Sequence, residues 1–172
     1  HLINNARALM VYGLCFPGFP LAAESWELGW KLVCREMPKQ TFEDGVFREQ
    51  SSHYHLLLTR TFTEAVLLAR LHGLSLPLGV VELLERMYVA MADMIRPDGS
   101  LPYIGDICPD IESRHLTGLL AMGAVLFRRG DFVGLEGLAQ EGTDVQIVDE
   151  ENLERADALG AQRFDLVLGD LL

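Results

Sequence analysis

A short polar stretch, residues 42–55, carries the side chains that are best suited to chemistry. It reads Phe-Glu-Asp-Gly-Val-Phe-Arg-Glu-Gln-Ser-Ser-His-Tyr-His and interrupts an otherwise helical pattern with an Asp-Gly turn. Ser51 or Ser52 is placed to cap the helix that follows, so Tyr54 falls in its first turn. A phenol in that position can face a cleft, and proton transfer by Tyr54 is the chemistry that this stretch suggests.

The ionisation of Tyr54 decides which proton transfer it could perform. A phenol with a pKa of about 10 is a poor base, but cationic or hydrogen-bonding neighbours favour the phenolate. Arg48, His1 and the helix N-terminus are the neighbours that we expect to act in this way. Tyr54 would then suit removal of a carbon-bound proton next to a carboxylate that other groups neutralise. The alternative is a core tyrosine with a satisfied hydroxyl group, and the residues leave both open.

A metal site is a second interpretation of the same region. It would use His53 and His55 together with His72 or His115. Residues two apart in a helix point to nearly opposite sides, so His53 and His55 cannot bind one ion unless the helix starts later. The spacing therefore disfavours a metal site.

A pair of carboxylates for glycoside hydrolysis is a third interpretation. Glu43, Asp44, Glu49 and Asp106 could supply the acid and the second carboxylate that such hydrolysis needs. Asp44 has a simpler role in its Asp-Gly turn, and so does Asp98 in a second one. Glu49 could equally fix the loop by accepting hydrogen bonds from helix N-terminal amides.

The composition limits the classes of protein to which the chain could belong. At 172 residues it is long enough for one domain with a core, and no apolar run reaches the roughly 18 residues of a membrane helix. A formal charge of −11, from 14 basic and 25 acidic residues, argues against nucleic acid as a partner. Three cysteines without a CxxC spacing indicate neither a disulfide framework nor a zinc knuckle. We therefore expect a globular protein with no cofactor and no membrane span.

The hydrophobic periodicity predicts an all-α chain. Apolar residues recur at helical spacing, and Gly or Pro punctuates them. Gly13 is predicted to stop the first helix and Pro38 the second. The predicted helices are 2–13, 21–37, 52–72, 77–97 and 112–129.

Two Asp-Gly loops suggest an internal repeat. Asp44-Gly45 and Asp98-Gly99 lie 54 positions apart, and each stands between two predicted helices. Antiparallel helix pairs at such a period indicate an α/α array, either an open solenoid or a closed toroid. Successive antiparallel helices would bring His1, residues 48–54 and residues 103–110 to one rim, which is the candidate site.

Three separated segments resemble one known family. Residues 42–55 resemble the Asp-Gly, Glu, Ser, Tyr-His signature of heparinase II/III-like polysaccharide lyases, which include alginate and oligoalginate lyases. Residues 97–106, Pro-Asp-Gly-Ser-Leu-Pro-Tyr-Ile-Gly-Asp, look like the later loop of this family. The opening His-Leu-Ile-Asn-Asn looks like the helix that follows its Asn-His pair. The resemblance covers about residues 1–130.

The resemblance implies both a fold and a reaction. The fold is all-α, with antiparallel helical hairpins forming part of an α/α toroid over residues 1–130. Residues 131–172 would be a helical or irregular tail leading toward a β-sandwich domain that full-length members have. The reaction is β-elimination of a uronic-acid polysaccharide: the C5 proton is removed, the C4 glycosidic oxygen leaves, and an unsaturated sugar end results. An acidic polysaccharide is therefore the expected partner.

The resemblance also assigns residues. Tyr54 matches the catalytic tyrosine, which serves as acid and also as base. His1 matches the histidine of the Asn-His pair, which neutralises the substrate carboxylate or takes part in proton transfer. We expect the other substrate-binding residues to be Arg48, Glu49, Gln50, His53, His55, Tyr103 and Asp106.

The chain also departs from the pattern of the family. The asparagine expected before His1, the earlier toroid helices and the β-sandwich are absent, which predicts a fragment with exposed apolar faces that self-associates. The resemblance favours a bacterial periplasmic or secreted location. Two alternatives remain, a hydrolase on a similar toroid that uses Glu49 and Asp106, and a non-catalytic helical scaffold that binds sugar or protein.

Overall fold

The computed structural model describes residues 1–107 and 113–132, which form five α-helices and a short 3-10 helix. The predicted all-α fold is confirmed. Within these residues no helix has both the length and the apolar character needed to cross a membrane. The helices are α1 (Leu2–Cys15), α2 (Ala22–Gln40), α3 (Ser52–Leu71), α4 (Leu78–Asp93), α5 (Ser113–Phe127) and the 3-10 helix Gly130–Phe132.

The described residues all fall in one compact unit, His1–Ala139. The tail predicted from residue 131 onward lies outside the described residues, except for Asp131 and Phe132. The described part of the chain therefore contains every residue of the predicted rim except 108–110.

Three predicted helix ends are wrong. The helix predicted to end at residue 97 ends at Asp93, and the other two errors concern α1 and α2. Gly13 does not stop α1, which continues to Cys15. A Cβ atom on Gly13 would lie 2.2 Å from the carbonyl oxygen of Ala22, so glycine is needed here for close helix contact. Pro38 does not stop α2 but lies in its last turn, where the missing N–H group removes a single backbone hydrogen bond.

The helices form antiparallel hairpins in two layers. Gly13 of α1 faces Trp26 of α2, and Gly29 of α2 faces Ala6 of α1, so these two helices run in opposite directions. The N–H of Arg48, shortly before α3, bonds the carbonyl oxygen of Gln40 at the end of α2, and Trp30 of α2 bonds that of Ser75 just after α3. α3 therefore runs opposite to α2 and in the same direction as α1, which it also contacts. Arg7 of α1 forms an ion pair with Glu64 of α3 across this parallel contact. The predicted antiparallel arrangement is therefore confirmed.

The two Asp-Gly turns have the same hydrogen bonds. In turns 42–46 and 96–100 the aspartate accepts a bond from the backbone N–H two residues later, at 2.9 Å for Asp44 and 3.0 Å for Asp98. The glycine that follows donates its N–H to the first carbonyl of the turn, at 3.0 Å and 2.8 Å respectively. The internal repeat is thus present in the backbone. Both aspartates have the structural role expected of an Asp-Gly turn.

The first of these turns is packed against α4. Gly45 has a φ of +94°, and a Cβ atom there would lie 2.3 Å from the backbone of Arg86. Thr41 and Phe47 form an isolated antiparallel bridge on either side of the turn. Because Gly45 lets the turn lie directly on the helix backbone, the loop that leads to α3 has a fixed position.

Gly45→Ala is expected to lower the free energy of unfolding by about 2 to 4 kcal/mol, since it adds both backbone strain and a clash with α4. Gly73→Ala is the matched control, because Gly73 also has a positive φ, +67°, but open space around its Cβ position. It should cost about 1 kcal/mol. Urea denaturation of both variants measures the difference. Equal losses would show that contact with α4 does not matter.

Candidate active site

Tyr54 lies in the first turn of α3, as predicted. Ser51 is the N-cap residue, with extended backbone angles, and its Oγ accepts a hydrogen bond from the N–H of Tyr54 at 3.1 Å. This bond satisfies one of the helix N–H groups that lack an intrahelical partner. The preceding residue, Gln50, has a φ of +52°, which turns the chain sharply into the helix. The cap therefore sets the position of Tyr54.

The later loop is bound to this helix start by two serines. Ser51 Oγ donates to the carbonyl oxygen of Asp106, and Ser52 Oγ donates to that of Pro102 at 2.5 Å. The N–H of Ser52 donates to the carbonyl oxygen of Ile104 at 3.1 Å. Gly105, with a φ of +71°, lies so close that a Cβ atom would be 2.9 Å from the Gln50 carbonyl oxygen. The sequence indicated the serines as caps but not as the link between the two loops.

Tyr54 and Asp106 form a hydrogen-bonded pair at this junction. The phenol hydroxyl donates to Oδ2 of Asp106 at 3.0 Å. This hydrogen bond and the charge of Asp106 raise the pKa of Tyr54 above its usual value, with smaller contributions from burial and from the charge of Glu49. The expected phenolate, favoured by cationic neighbours, is therefore wrong for this arrangement. Asp106 and Glu49 both oppose the phenolate that a Tyr54 base would require.

His55 is turned into the core. The ring is 1% exposed; its Nδ1 accepts from the N–H of Phe47 at 3.2 Å, and its Nε2 contacts the carbonyl oxygen of Met87 at 2.9 Å. The ring is therefore the tautomer with a proton on Nε2. Burial lowers the pKa of His55, against the raising effects of the Met87 carbonyl and Asp44. The substrate-binding role expected for His55 is corrected, since it joins the 41–47 loop to α4 instead.

His53 takes the opposite side of the helix, as the spacing required. It is half-buried, and its ring meets that of Tyr54 edge to face, with centroids 5.5 Å apart and an interplanar angle of 88°. Its Nδ1 is buried without a hydrogen-bond partner among the described residues. His53 and His55 therefore do not face a common point. In the described part of the chain, no three His, Cys, Asp or Glu side chains are grouped to hold a metal ion.

His1 is at the N-cap of α1 and is exposed. α1 and α3 run in the same direction and are joined by the Arg7 and Glu64 pair. At a rise of about 1.5 Å per residue, His1 is about 9 Å along the axis from Arg7, and Tyr54 is about 15 Å along it from Glu64. His1 and Tyr54 thus lie at the same end, and none of the hydrogen bonds or ring contacts of the described residues joins them.

The other residues expected to bind substrate are exposed on the two loops. The guanidinium group of Arg48 lies over the ring of Phe42, 4.5 Å from its centroid. These two residues line an open hollow of about 620 Å³ together with Glu43 and Asp44. The remaining residues of the predicted set on these loops, which are exposed like Arg48, are Glu49, Gln50, Tyr103 and Asp106. Phe42 was not among the residues predicted for the rim, because only the stacking of Arg48 on its ring brings it there.

The fold matches solved structures of lyases. A crystal structure of heparinase III superposes with a TM-score of 0.71 at 24% identity, covering 83% of this chain and 23% of that one. A heparan sulfate lyase from Pedobacter heparinus gives a TM-score of 0.62 at 22% identity, covering 83% and 22%. The described helices are thus an all-α domain of the heparinase III type.

A family model described as Heparinase II/III N-terminus matches residues 1–125. The chain belongs to this family, which confirms the resemblance inferred from the three motifs. A heparin-sulfate lyase of Bacteroides stercoris is 32% identical over 108 residues, which are 62% of this chain and 16% of that protein. One of Bacteroides thetaiotaomicron is 35% identical over 74 residues, 43% of this chain and 10% of that protein. The chain thus spans at most 16% of the length of these two relatives.

Ser51→Ala is expected to lower the free energy of unfolding by about 1 to 2 kcal/mol, because it removes the helix cap and the bond to the 102–106 loop together. The loop should also exchange its amide hydrogens faster. Thr61→Ala is the control, since Thr61 Oγ1 only bonds the carbonyl oxygen of Leu57 within the same helix. Unchanged exchange in the loop would argue against the link.

Stability should fall as the pH drops below about 6.5, the ordinary pKa of histidine. The pKa of His55 is lower in the folded chain than in the unfolded chain, so the unfolded chain binds the proton first as the pH falls. The corresponding stability is fully present above about pH 6.5 and is lost as the pH falls toward the pKa of the folded state. His55→Gln should be less stable at neutral pH but lose less between pH about 7 and about 5. His72→Gln, at an exposed site, is the control. Parallel curves for His55→Gln and the unaltered chain would contradict a buried neutral imidazole.

Proposed function

We propose that this chain carries the proton-donating rim of a lyase that cleaves an acidic polysaccharide by β-elimination. The observation that supports this most is the hydrogen bond of 3.0 Å from the Tyr54 hydroxyl, at the start of α3, to Oδ2 of Asp106. The chain that carries this pair is related to heparin-sulfate lyases. A phenol kept protonated can give its proton to a leaving sugar oxygen. Because the pair fixes the hydroxyl and opposes the phenolate that a base would need, it supports Tyr54 as the general acid rather than the base.

We propose an elimination in which the C5 proton and the C4 glycosidic oxygen leave the same uronic acid. A base takes the C5 proton of the uronic acid, the electron pair forms the C4–C5 double bond, and the bond from C4 to the glycosidic oxygen breaks. Tyr54 gives its proton to that oxygen. His1, exposed at the same end of the molecule, is proposed to neutralise the carboxylate or to take part in proton transfer.

The two loops are proposed to bind the sugars on either side of the broken bond. Tyr103 is 71% exposed and offers an aromatic face on which a sugar ring can stack. Arg48 keeps guanidinium donors available to a carboxylate or sulfate while its face rests on Phe42. Gln50 and His53 are proposed as further contacts of the substrate.

A glycoside hydrolase is the second candidate, and one observation favours it. Asp106 contacts Tyr54, and the charge of Glu49 makes a small further contribution to raising the pKa of Tyr54, so a second carboxylate is in the neighbourhood of the pair. Hydrolysis would use them as acid and base, with Tyr54 only in support. The two candidates differ in their product, because elimination leaves a conjugated double bond and hydrolysis does not.

Tyr54→Phe tests the proposal, since it removes the phenol proton and leaves the ring. Formation of the conjugated product is followed by ultraviolet absorbance with heparan sulfate, alginate, hyaluronan and glucuronan, on this chain and on any longer protein that contains it. We expect a loss of about 100-fold or more in the rate of elimination. Tyr12→Phe, a tyrosine that bonds the carbonyl oxygen of Pro20 in the turn between α1 and α2, is the matched control.

If Tyr54→Phe still forms the conjugated elimination product, Tyr54 is not the acid. New reducing ends without the conjugated product, lost in Glu49→Gln and kept in Tyr54→Phe, would instead support hydrolysis. Binding of a polymer with no product of either kind in the longest available protein would leave a scaffold role.

A further inference from the structure

We propose that Asp106 is the positioning residue that holds the Tyr54 hydroxyl and its proton at a fixed point where the two loops meet, so that Tyr54 can act as an acid there. This deepens the function proposed above and rests on it for its catalytic consequence. The claim about Tyr54 itself does not need the chain to be active.

Asp106 makes two separate contacts that support this role, one through its main chain and one through its side chain. The carbonyl oxygen of Asp106 accepts from Ser51 Oγ, which also caps the helix that carries Tyr54. The carboxylate of Asp106 then meets the phenol hydroxyl at 3.0 Å. Gly105, with its positive φ, brings the loop against the backbone of Gln50 and Ser51 just before this contact. The carboxylate is thus aimed at the hydroxyl by bonds that do not involve the carboxylate.

The charged groups near Tyr54 oppose ionisation. Asp106 is on the later loop and Glu49 on the loop before α3, and the charge of each disfavours a phenolate. His53, on the same helix, faces the phenol ring edge to face. Arg48, the nearest cation in sequence on these loops, stacks on Phe42. Among the described residues the balance of charge near Tyr54 is therefore negative.

This arrangement has a consequence for turnover. When the phenol O–H bond breaks and a new O–H bond forms on the leaving sugar, a phenolate is left beside the Asp106 carboxylate. Repulsion between the two anions favours rapid uptake of a proton from water, which restores the phenol. Asp106 therefore favours return of the proton after each cycle, although it also makes the phenol a weaker acid during the transfer.

Direct titration of Tyr54 in the full chain tests the inference. The ring carbon that bears the hydroxyl is labelled with carbon-13 in all four tyrosines, and the Tyr54 signal is assigned by its loss in Tyr54→Phe. We expect Tyr54 to titrate above an ordinary tyrosine, and to titrate at lower pH in Asp106→Asn. The main-chain bond from Ser51 remains in that variant, so the loop should stay in place. Glu49→Gln should give a smaller shift in the same direction, and Glu43→Gln none.

Either of two results would overturn the inference. One is a Tyr54 that titrates at or below the ordinary tyrosine value in the unaltered chain, a result that needs no change at Asp106. The other is an unchanged Tyr54 titration in Asp106→Asn. In the elimination assay, the alkaline limb of the rate should move to lower pH in Asp106→Asn. If no polymer is cleaved, the proposed function fails, and the titration decides the Asp106 inference by itself.

Discussion

The cap of α3 is the interaction on which the rim depends. Ser51 Oγ accepts the N–H of Tyr54 and donates to the carbonyl oxygen of Asp106, so one hydroxyl group holds a helix start and a distant loop together. A helix N-terminus needs such an acceptor whether or not a site is built on it. The requirement that starts the helix correctly therefore also fixes the distance between a phenol and a carboxylate that are 52 residues apart.

The charge of the chain has opposite effects on the ligand and on the acid. A net charge of −11 opposes the approach of a polyanion, and an exposed cation such as Arg48 must offset this locally. The same negative surroundings oppose a phenolate, so they disfavour Tyr54 as a base and leave it the role of a proton donor. A rim that combines Arg48 on one loop with Asp106 on the other separates these two demands in space. Salt should weaken the first effect more than the second, because the contact between Tyr54 and Asp106 is direct.

Features set by neighbours in sequence could be predicted, and those set by distant contacts could not. The place of Tyr54 after a capping serine follows from local rules for helix starts, and the Asp-Gly turns follow from local turn chemistry. The ends of α1 and α2 were wrong because Gly13 serves contact with Ala22 and because α2 accommodates Pro38 in its last turn. The predicted ionisation of Tyr54 was wrong because Asp106, the residue with the largest effect on its pKa, comes from another loop.

The repeated Asp-Gly turn restricts how a chain of this kind can change in length. One turn lies between α2 and α3 and the other between α4 and α5. The two turns are 54 positions apart. Gain or loss of a whole 54-residue hairpin would keep every later loop on the same rim. Gain or loss of a single helix would reverse the direction of every helix that follows and would place the later loop at the opposite end. Evolution of such arrays is therefore limited to steps of two helices wherever a site spans successive loops.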